Sequence, residues 1–138
     1  MKLQKVAIVS KFGSKESEDA AKKVAKKFLE KKARVYTISP VKVEGSKNVE
    51  TISELKKEKL DLVVTLGGDG TTLRAFRNLE NETPILTINV GGNRGILAEI
   101  TLDELDSAIK QIIAGKIILE KRTRVIASCG KEEFPPAL

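Results

Sequence analysis

Apolar residues in this chain follow two alternating rhythms: short runs of β-branched residues, and longer stretches in which apolar positions recur every three or four places. Lys5-Val6-Ala7-Ile8-Val9-Ser10 predicts a first strand, followed by a loop over 11–14. A helix is expected from Ser14, as N-cap, to about Lys32. Its apolar stripe is Ala20, Ala21, Val24, Ala25, Phe28 and Leu29, and Glu16, Glu18 and Asp19 put negative charge where the helix dipole favours it. Arg34 to Ser39 predicts a second strand stopped by Pro40. Residues 41–48 show no clear period, and Ile52 to Lys59 suits a short helix. A third strand is expected over Asp61–Leu66, a helix over Thr71–Arg77 and a fourth strand over Pro84–Val90. Thr101 and Glu104 have capping-box spacing, and Leu102, Leu105, Ala108, Ile109 and Ile112 form a helical stripe ending near Gly115.

Such alternation predicts an α/β fold, an open and mostly parallel sheet with helices on both faces, because right-handed crossovers place the helices there. Ligands of such sheets bind outside the carboxyl ends of the strands. From Lys116 the pattern changes. Ile117-Ile118-Leu119 and Val125-Ile126-Ala127 are β-type runs, followed by a turn at Gly130-Lys131 and by Pro135-Pro136. The expectation is an α/β domain over 1–115 and the start of a truncated β-rich domain over 116–138, the chain being the N-terminal portion of a longer protein.

Two glycine-bearing turns follow predicted strands, Gly67-Gly68-Asp69-Gly70-Thr71 and Gly91-Gly92-Asn93-Arg94-Gly95. A chance match to the first pentapeptide has odds near ~10⁻⁴ in a chain of this length, which weighs against a turn that merely reverses the chain. Between a strand and a helix, glycines let a ligand approach the backbone, and the N–H groups there can point at a phosphate. The motif lacks the Gly-Lys-Ser/Thr of a Walker A loop and is not the dinucleotide fingerprint. Asp69 would repel a phosphate unless it has other work. Two jobs suit it: holding a divalent metal that bridges to phosphate oxygens, or accepting a proton from a hydroxyl that attacks phosphorus.

Composition narrows the chemistry. Histidine is absent and Cys129 is the single cysteine, so a zinc cluster and an internal disulfide are both excluded within the chain. Any metal must be a hard, oxygen-liganded one, and any general base a carboxylate, Lys or Tyr. The formal charge of +6 is concentrated in the first helix, at Lys15, Lys22, Lys23, Lys26, Lys27, Lys31 and Lys32. These lysines interleave with the apolar stripe, which fits a solvated helix face better than a nucleic-acid surface. No apolar run approaches membrane-spanning length and the first residues show no signal-peptide pattern. A cytoplasmic location is expected, with no nucleic-acid or membrane partner.

The sequence resembles the NAD kinases, which phosphorylate the 2′-hydroxyl of the adenosine ribose of NAD to give NADP. The similar segments are Leu66-Gly67-Gly68-Asp69-Gly70-Thr71 continued by Leu73-Arg74-Ala75, then Asn89-Val90-Gly91 leading to Gly95-Ile96-Leu97-Ala98-Glu99, and Gly115 followed by Glu120-Lys121-Arg122. The likeness runs from about Leu62 onward. The first motif is shared with diacylglycerol and sphingosine kinases, whereas Leu73-Arg74-Ala75 and the second turn favour NAD kinases.

The resemblance implies that Asp69 is the catalytic proton acceptor, that Gly67 and Gly68 shape the phosphate loop, that Thr71 is a cofactor-binding residue, and that Gly70 and Arg74 contact NAD. It further implies that Asn89, Gly95 and Ile96 belong to the nucleotide site. Family members usually have Gly-Phe-Leu where this chain has Gly95-Ile96-Leu97, so an aliphatic contact replaces stacking on adenine; the loop from Asn89 to Gly95 is one residue longer, with Asn93 and Arg94 in it. ATP with Mg²⁺, and polyphosphate as a further donor, are the implied phosphoryl sources, NAD the substrate, and a homo-oligomer the implied assembly. In the family an Asn-Glu or Asn-Asp pair that grips NAD follows an Ala-Leu dipeptide, and this chain stops at Ala137-Leu138, so the expectation is little activity from it alone. Two other readings stay open: a lipid kinase built on a similar domain, and a nucleotide-binding module without chemistry.

Overall fold

Strands and helices alternate as the hydrophobic rhythm predicts, in a computed structural model that describes residues 2–79, 82–91 and 95–138. Strands β1 (Lys5–Ser10), β2 (Arg34–Ile38), β3 (Lys47–Val49), β4 (Leu62–Gly67), β5 (Ile85–Asn89) and β6 (Ile100–Thr101) form a single sheet in the order β3-β2-β1-β4-β5-β6. Every neighbouring pair in it is parallel. The chain runs outward from β1 to β3, then returns to lay β4 on the other side of β1. That reversal is a topological switch point, and a crevice opens there at the carboxyl ends of the strands.

Helices α1 (Lys15–Glu30), α2 (Asp69–Asn78) and α3 (Leu105–Ile113) cover the sheet. One core joins Ala20, Ala21, Val24, Ala25 and Phe28 of α1 and Leu105, Ile109 and Ile112 of α3 to Val6, Ile8, Val35, Val64, Leu66 and Ile88. On the other face Ala75 and Leu79 pack with Ala7, Val9, Tyr36, Ile52, Leu55 and Val63. The central strands are therefore buried on both sides, as their unbroken apolar runs require. The seven lysines of the first helical segment are all exposed, and Lys27 pairs with Asp106 of α3 at 3.1 Å.

Ser14 caps α1 as expected, its hydroxyl accepting from the Ser17 N–H at 3.2 Å. The helix closes two residues before the predicted limit because Lys32 is left-handed, with φ of 62°, and the Ala33 N–H donates back to the Phe28 carbonyl at 3.1 Å. Other boundaries also moved. The stretch without a clear period contains β3, and Ile52–Leu55 is only a 3-10 turn. Strand β6 was not foreseen. Residues Leu102–Glu104 form a 3-10 turn ahead of α3.

Beyond α3 the two β-type runs do not become strands. Ile118 and Leu119 lie exposed, and a β-branched run forms a strand only against a partner ladder. The strands that do form are β7 (Ser128–Cys129) and β8 (Glu132–Glu133), antiparallel around a turn at Gly130 and Lys131, with one bridge between Val125 and Ala137. Arg124 ties this segment to the rest: its Nη1 donates to the carbonyls of Phe76 and Leu79, both at 2.7 Å. Those carbonyls lie at the C-terminal end of α2, where a cation is favoured.

A closed set of buried hydroxyls fixes the same helix to the sheet. Thr72 Oγ1 lies 2.9 Å from Thr65 Oγ1 and 3.2 Å from Thr87 Oγ1, and Thr65 donates to Thr87 at 3.3 Å. Three hydroxyls with one proton each can satisfy one another in a ring. Thr72→Val breaks two of the three bonds and leaves buried hydroxyls on β4 and β5 short of a partner, so it should cost about 1–3 kcal/mol in urea unfolding, while Thr72→Ser should recover most of the loss.

Candidate active site at the strand rim

Strands β4 and β5 finish level with each other, Gly67 being paired with Asn89. The two glycine turns therefore leave adjacent strands at the same height. Gly67 has φ of +146°, and a Cβ there would stand 2.7 Å from Thr71 Oγ1 and 2.9 Å from Lys11 Cβ, so neither the backbone nor the space admits another residue. Gly68 is the N-cap of α2 and offers no side-chain acceptor to the helix. A Cβ on Gly68 or Gly70 would meet nothing within 4 Å. The N–H groups of Thr71 and Thr72 fold back on the Gly68 carbonyl at 3.2 and 3.4 Å, so those of Asp69 and Gly70 are the ones a helix start of this kind offers to a phosphate.

Asp69 begins α2 and lies half-buried at this rim, not behind the sheet. The N–H of Ile96 donates to its Oδ2 and the N–H of Leu97 to its Oδ1, both at 3.0 Å. Gly95 makes this approach possible, since a Cβ there would collide with the carboxylate. Each carboxylate oxygen accepts one backbone bond and keeps a further lone pair. The group can hold the second turn and still receive a proton from a hydroxyl placed against it.

Gly67, Gly68, Asp69, Gly70, Thr71, Gly95 and Ile96 are brought together as their spacing suggested. Thr71 is buried beside Gly67, while Ile96 is 90% exposed at the rim. Asn89 is half-buried, with Nδ2 3.5 Å from the Gly91 carbonyl. Asn93 and Arg94 lie outside the described residues.

Arg74 turns to the other side of α2. Its Nη2 donates to the Ser10 carbonyl at 2.9 Å and its guanidinium lies 5.5 Å from the centre of the Phe12 ring. Burial, and secondarily the charge of Arg77, lowers the pKa of this guanidinium from its usual range.

Sequence reading passed over three residues of the β1 side. Lys11 continues the pairing of β1 with β4 through an N–H bond to the Leu66 carbonyl at 2.8 Å. Phe12 is 73% exposed. Glu16 brings a second carboxylate to the rim, since a Cβ on Gly91 would come 2.7 Å from its Oε2. Their position just after the first strand was the available signal, because every loop leaving that end of the sheet reaches the same crevice.

A model of the ATP-NAD kinase N-terminal domain matches residues 6–117. The chain belongs to that family. It is 37% identical over 125 residues to the bifunctional NADP phosphatase/NAD kinase of Methanococcus maripaludis, covering 86% of this chain and 21% of that protein. It is 29% identical over 137 residues to the NAD kinase of Methanothermobacter thermautotrophicus, covering 99% of this chain and 48% of the relative. The crystal structure of yeast NADH kinase complexed with NADH superposes with a TM-score of 0.78 at 19% identity, over 99% of this chain and 46% of that one, a likeness of fold. The chain spans less than half the length of each of these three proteins.

Gly95→Ala should push the Asp69 carboxylate off the amides of Ile96 and Leu97. Hydrogen exchange is the direct measurement: protection at those two amides should fall roughly tenfold or more, while β4 amides keep theirs.

Proposed function

We propose that the chain carries the catalytic base and phosphate loop of an NAD kinase, which transfers the terminal phosphoryl group of ATP to the 2′-hydroxyl of the adenosine ribose of NAD. The observation that carries this reading is Asp69, a half-buried carboxylate at the very start of α2, where a helix offers N–H groups to an anion. A base and an anion cradle at one place are what phosphoryl transfer to an alcohol needs. Membership of the family supports the choice of NAD as acceptor.

In this reading Asp69 accepts the proton of the ribose hydroxyl as its oxygen bonds to phosphorus. The N–H groups around Gly68 and Gly70 take the transferred phosphoryl oxygens, and Arg74, anchored on the Ser10 carbonyl at the β1 side of the crevice, contributes positive charge toward the pyrophosphate of NAD from there. Gly95 and Ile96 flank the adenosine, with Ile96 as an aliphatic contact and Asn89 at the root of the second turn. Polyphosphate serves as an alternative donor because the cradle recognises phosphate rather than base.

Among the described residues no group of three or more carboxylates or thiolates forms a metal cage. In this reading Mg²⁺ arrives with the phosphates, since this ion is commonly held by one or two carboxylates together with substrate oxygens. Glu16, the second carboxylate at this rim, is the residue that would hold it, and when bound the ion would offset the charge on the phosphates. Among the described residues no helix is long and apolar enough to cross a membrane. Residues 116–138 form a second unit in this reading, because the ribbon of β7 and β8 is a sheet separate from the six-stranded one.

Asp69→Asn tests the assignment in the full protein, with NAD phosphorylation as the readout. Turnover should fall about 10²- to 10⁴-fold with little change in NAD affinity. Near-normal turnover would reduce Asp69 to a clamp on the second turn, and a wild-type protein that binds nucleotide without turnover would make the domain a binding module.

A further inference from the structure

Strands β4 and β5 and helix α2 build the rim, and the ring of threonine hydroxyls takes one residue from each of them. Thr65 stands two residues before Gly67 on β4 and Thr87 two residues before Asn89 on β5, and both pairs are matched across the strands. Residues two apart on a strand share a face, so these hydroxyls lie on the same side of the sheet as the roots of both glycine turns. Thr72 follows Asp69 by three residues, close to one turn along α2, and so shares its side of the helix.

The ring differs in kind from the packing around it. Ala75 and Leu79 press the helix onto the sheet through apolar contacts, and such attraction has no preferred direction. Hydrogen bonds weaken steeply as length and angle depart from their optimum. Valine at the three positions would fill nearly the same space with no hydroxyl to desolvate, yet all three are buried threonines. What a closed polar network adds to such a core is one permitted arrangement of its parts.

Arrangement matters here because Asp69 lies at the periphery of the helix. A side-chain tip stands about 5–6 Å from a helix axis, so a roll of about 10° carries a carboxylate by about 1 Å. A misplacement of that size can slow a reaction about 10²-fold. The same roll would pull Asp69 from the amides of Ile96 and Leu97, which it meets at 3.0 Å. We propose that Thr72 is a positioning residue for phosphoryl transfer: held by Thr65 and Thr87, it sets the roll of α2 and thereby the point at which Asp69 meets the acceptor hydroxyl. Thr72 itself touches no reacting atom. The inference rests on the kinase reading for its chemistry and on the hydroxyl ring for its geometry.

Its test compares Thr72→Val, Thr72→Ser and Val24→Ala, the last a cavity in α1 on the opposite face of the sheet that also lowers stability. Circular dichroism melts check folding, and all assays run well below the melting range. Thr87→Val, which removes two bonds of the ring from the sheet side, carries the same test should Thr72→Val not fold. In the full protein Thr72→Val should lower kcat for NAD phosphorylation about 10- to 100-fold and move the KM for NAD less than about threefold. Thr72→Ser should restore kcat, and Val24→Ala should keep it. Added to Asp69→Asn, Thr72→Val should lower kcat by less than about threefold more, because the group it places no longer accepts the proton. Hydrogen exchange at the Ile96 and Leu97 amides should quicken roughly tenfold in Thr72→Val and stay slow in Val24→Ala.

Unchanged kcat in folded Thr72→Val, or in Thr87→Val in its place, overturns the assignment. So does an equal loss in Val24→Ala, since the effect would then track stability, and so does a full further loss on top of Asp69→Asn, since Thr72 would then act independently of the base. A wild-type protein that phosphorylates no NAD overturns the kinase reading instead, and the two amides alone then decide whether Thr72 places Asp69.

Discussion

One carboxylate joins two loops that the chain keeps more than twenty residues apart. By accepting the N–H groups of Ile96 and Leu97, Asp69 draws the turn after β5 onto the start of α2, and everything proposed for the rim depends on that closure. Charge-assisted bonds of this kind are stronger than neutral ones, and the pair is bidentate, so it sets orientation as well as distance. The level pairing of Gly67 with Asn89 brings the loops near. Asp69 then fixes their spacing, and the absence of a side chain at Gly95 allows the fit.

The same pair of bonds suits Asp69 to both the clamping observed and the proton acceptance proposed for it. A carboxylate used only as a clamp could be buried behind the sheet, and one used only as a base could stand free in solvent. Here it is half-buried and holds one bond on each oxygen, with capacity left on both. A base held in this way needs little rearrangement when substrate arrives, since its rotamer is already chosen by the protein.

Much of the architecture was legible because it rests on periodicity. The β-branched runs at Val6–Val9 and Leu62–Leu66 and the stripe of α1 each point to a buried strand or helix face without reference to distant residues. What escaped was tertiary in origin. Strand β3, with Lys47 and Asn48 in it, carries no apolar alternation; it exists because β2 offers an unpaired edge, and because the Asn48 amide donates to the Val41 carbonyl at 2.8 Å. Conversely Ile117-Ile118-Leu119 has strand composition without a strand, for want of a ladder. In the site, Gly67 to Thr71 announced itself through rare residues in a recognisable frame. Phe12 and Glu16 did not, since an aromatic or an acid beside a loop is common and only the fold shows that these loops converge.

Arg124 gives the rim an unexpected connection. Helix α2 has ten residues, and so is a stiff rod about 15 Å long. One end carries the carboxylate over Gly95; the other is gripped by a guanidinium belonging to the segment after α3. Asp69 is thus placed by a helix held at three points: at its start by the amides of Ile96 and Leu97, through Thr72 by the sheet hydroxyls, and at its far end by the 116–138 segment.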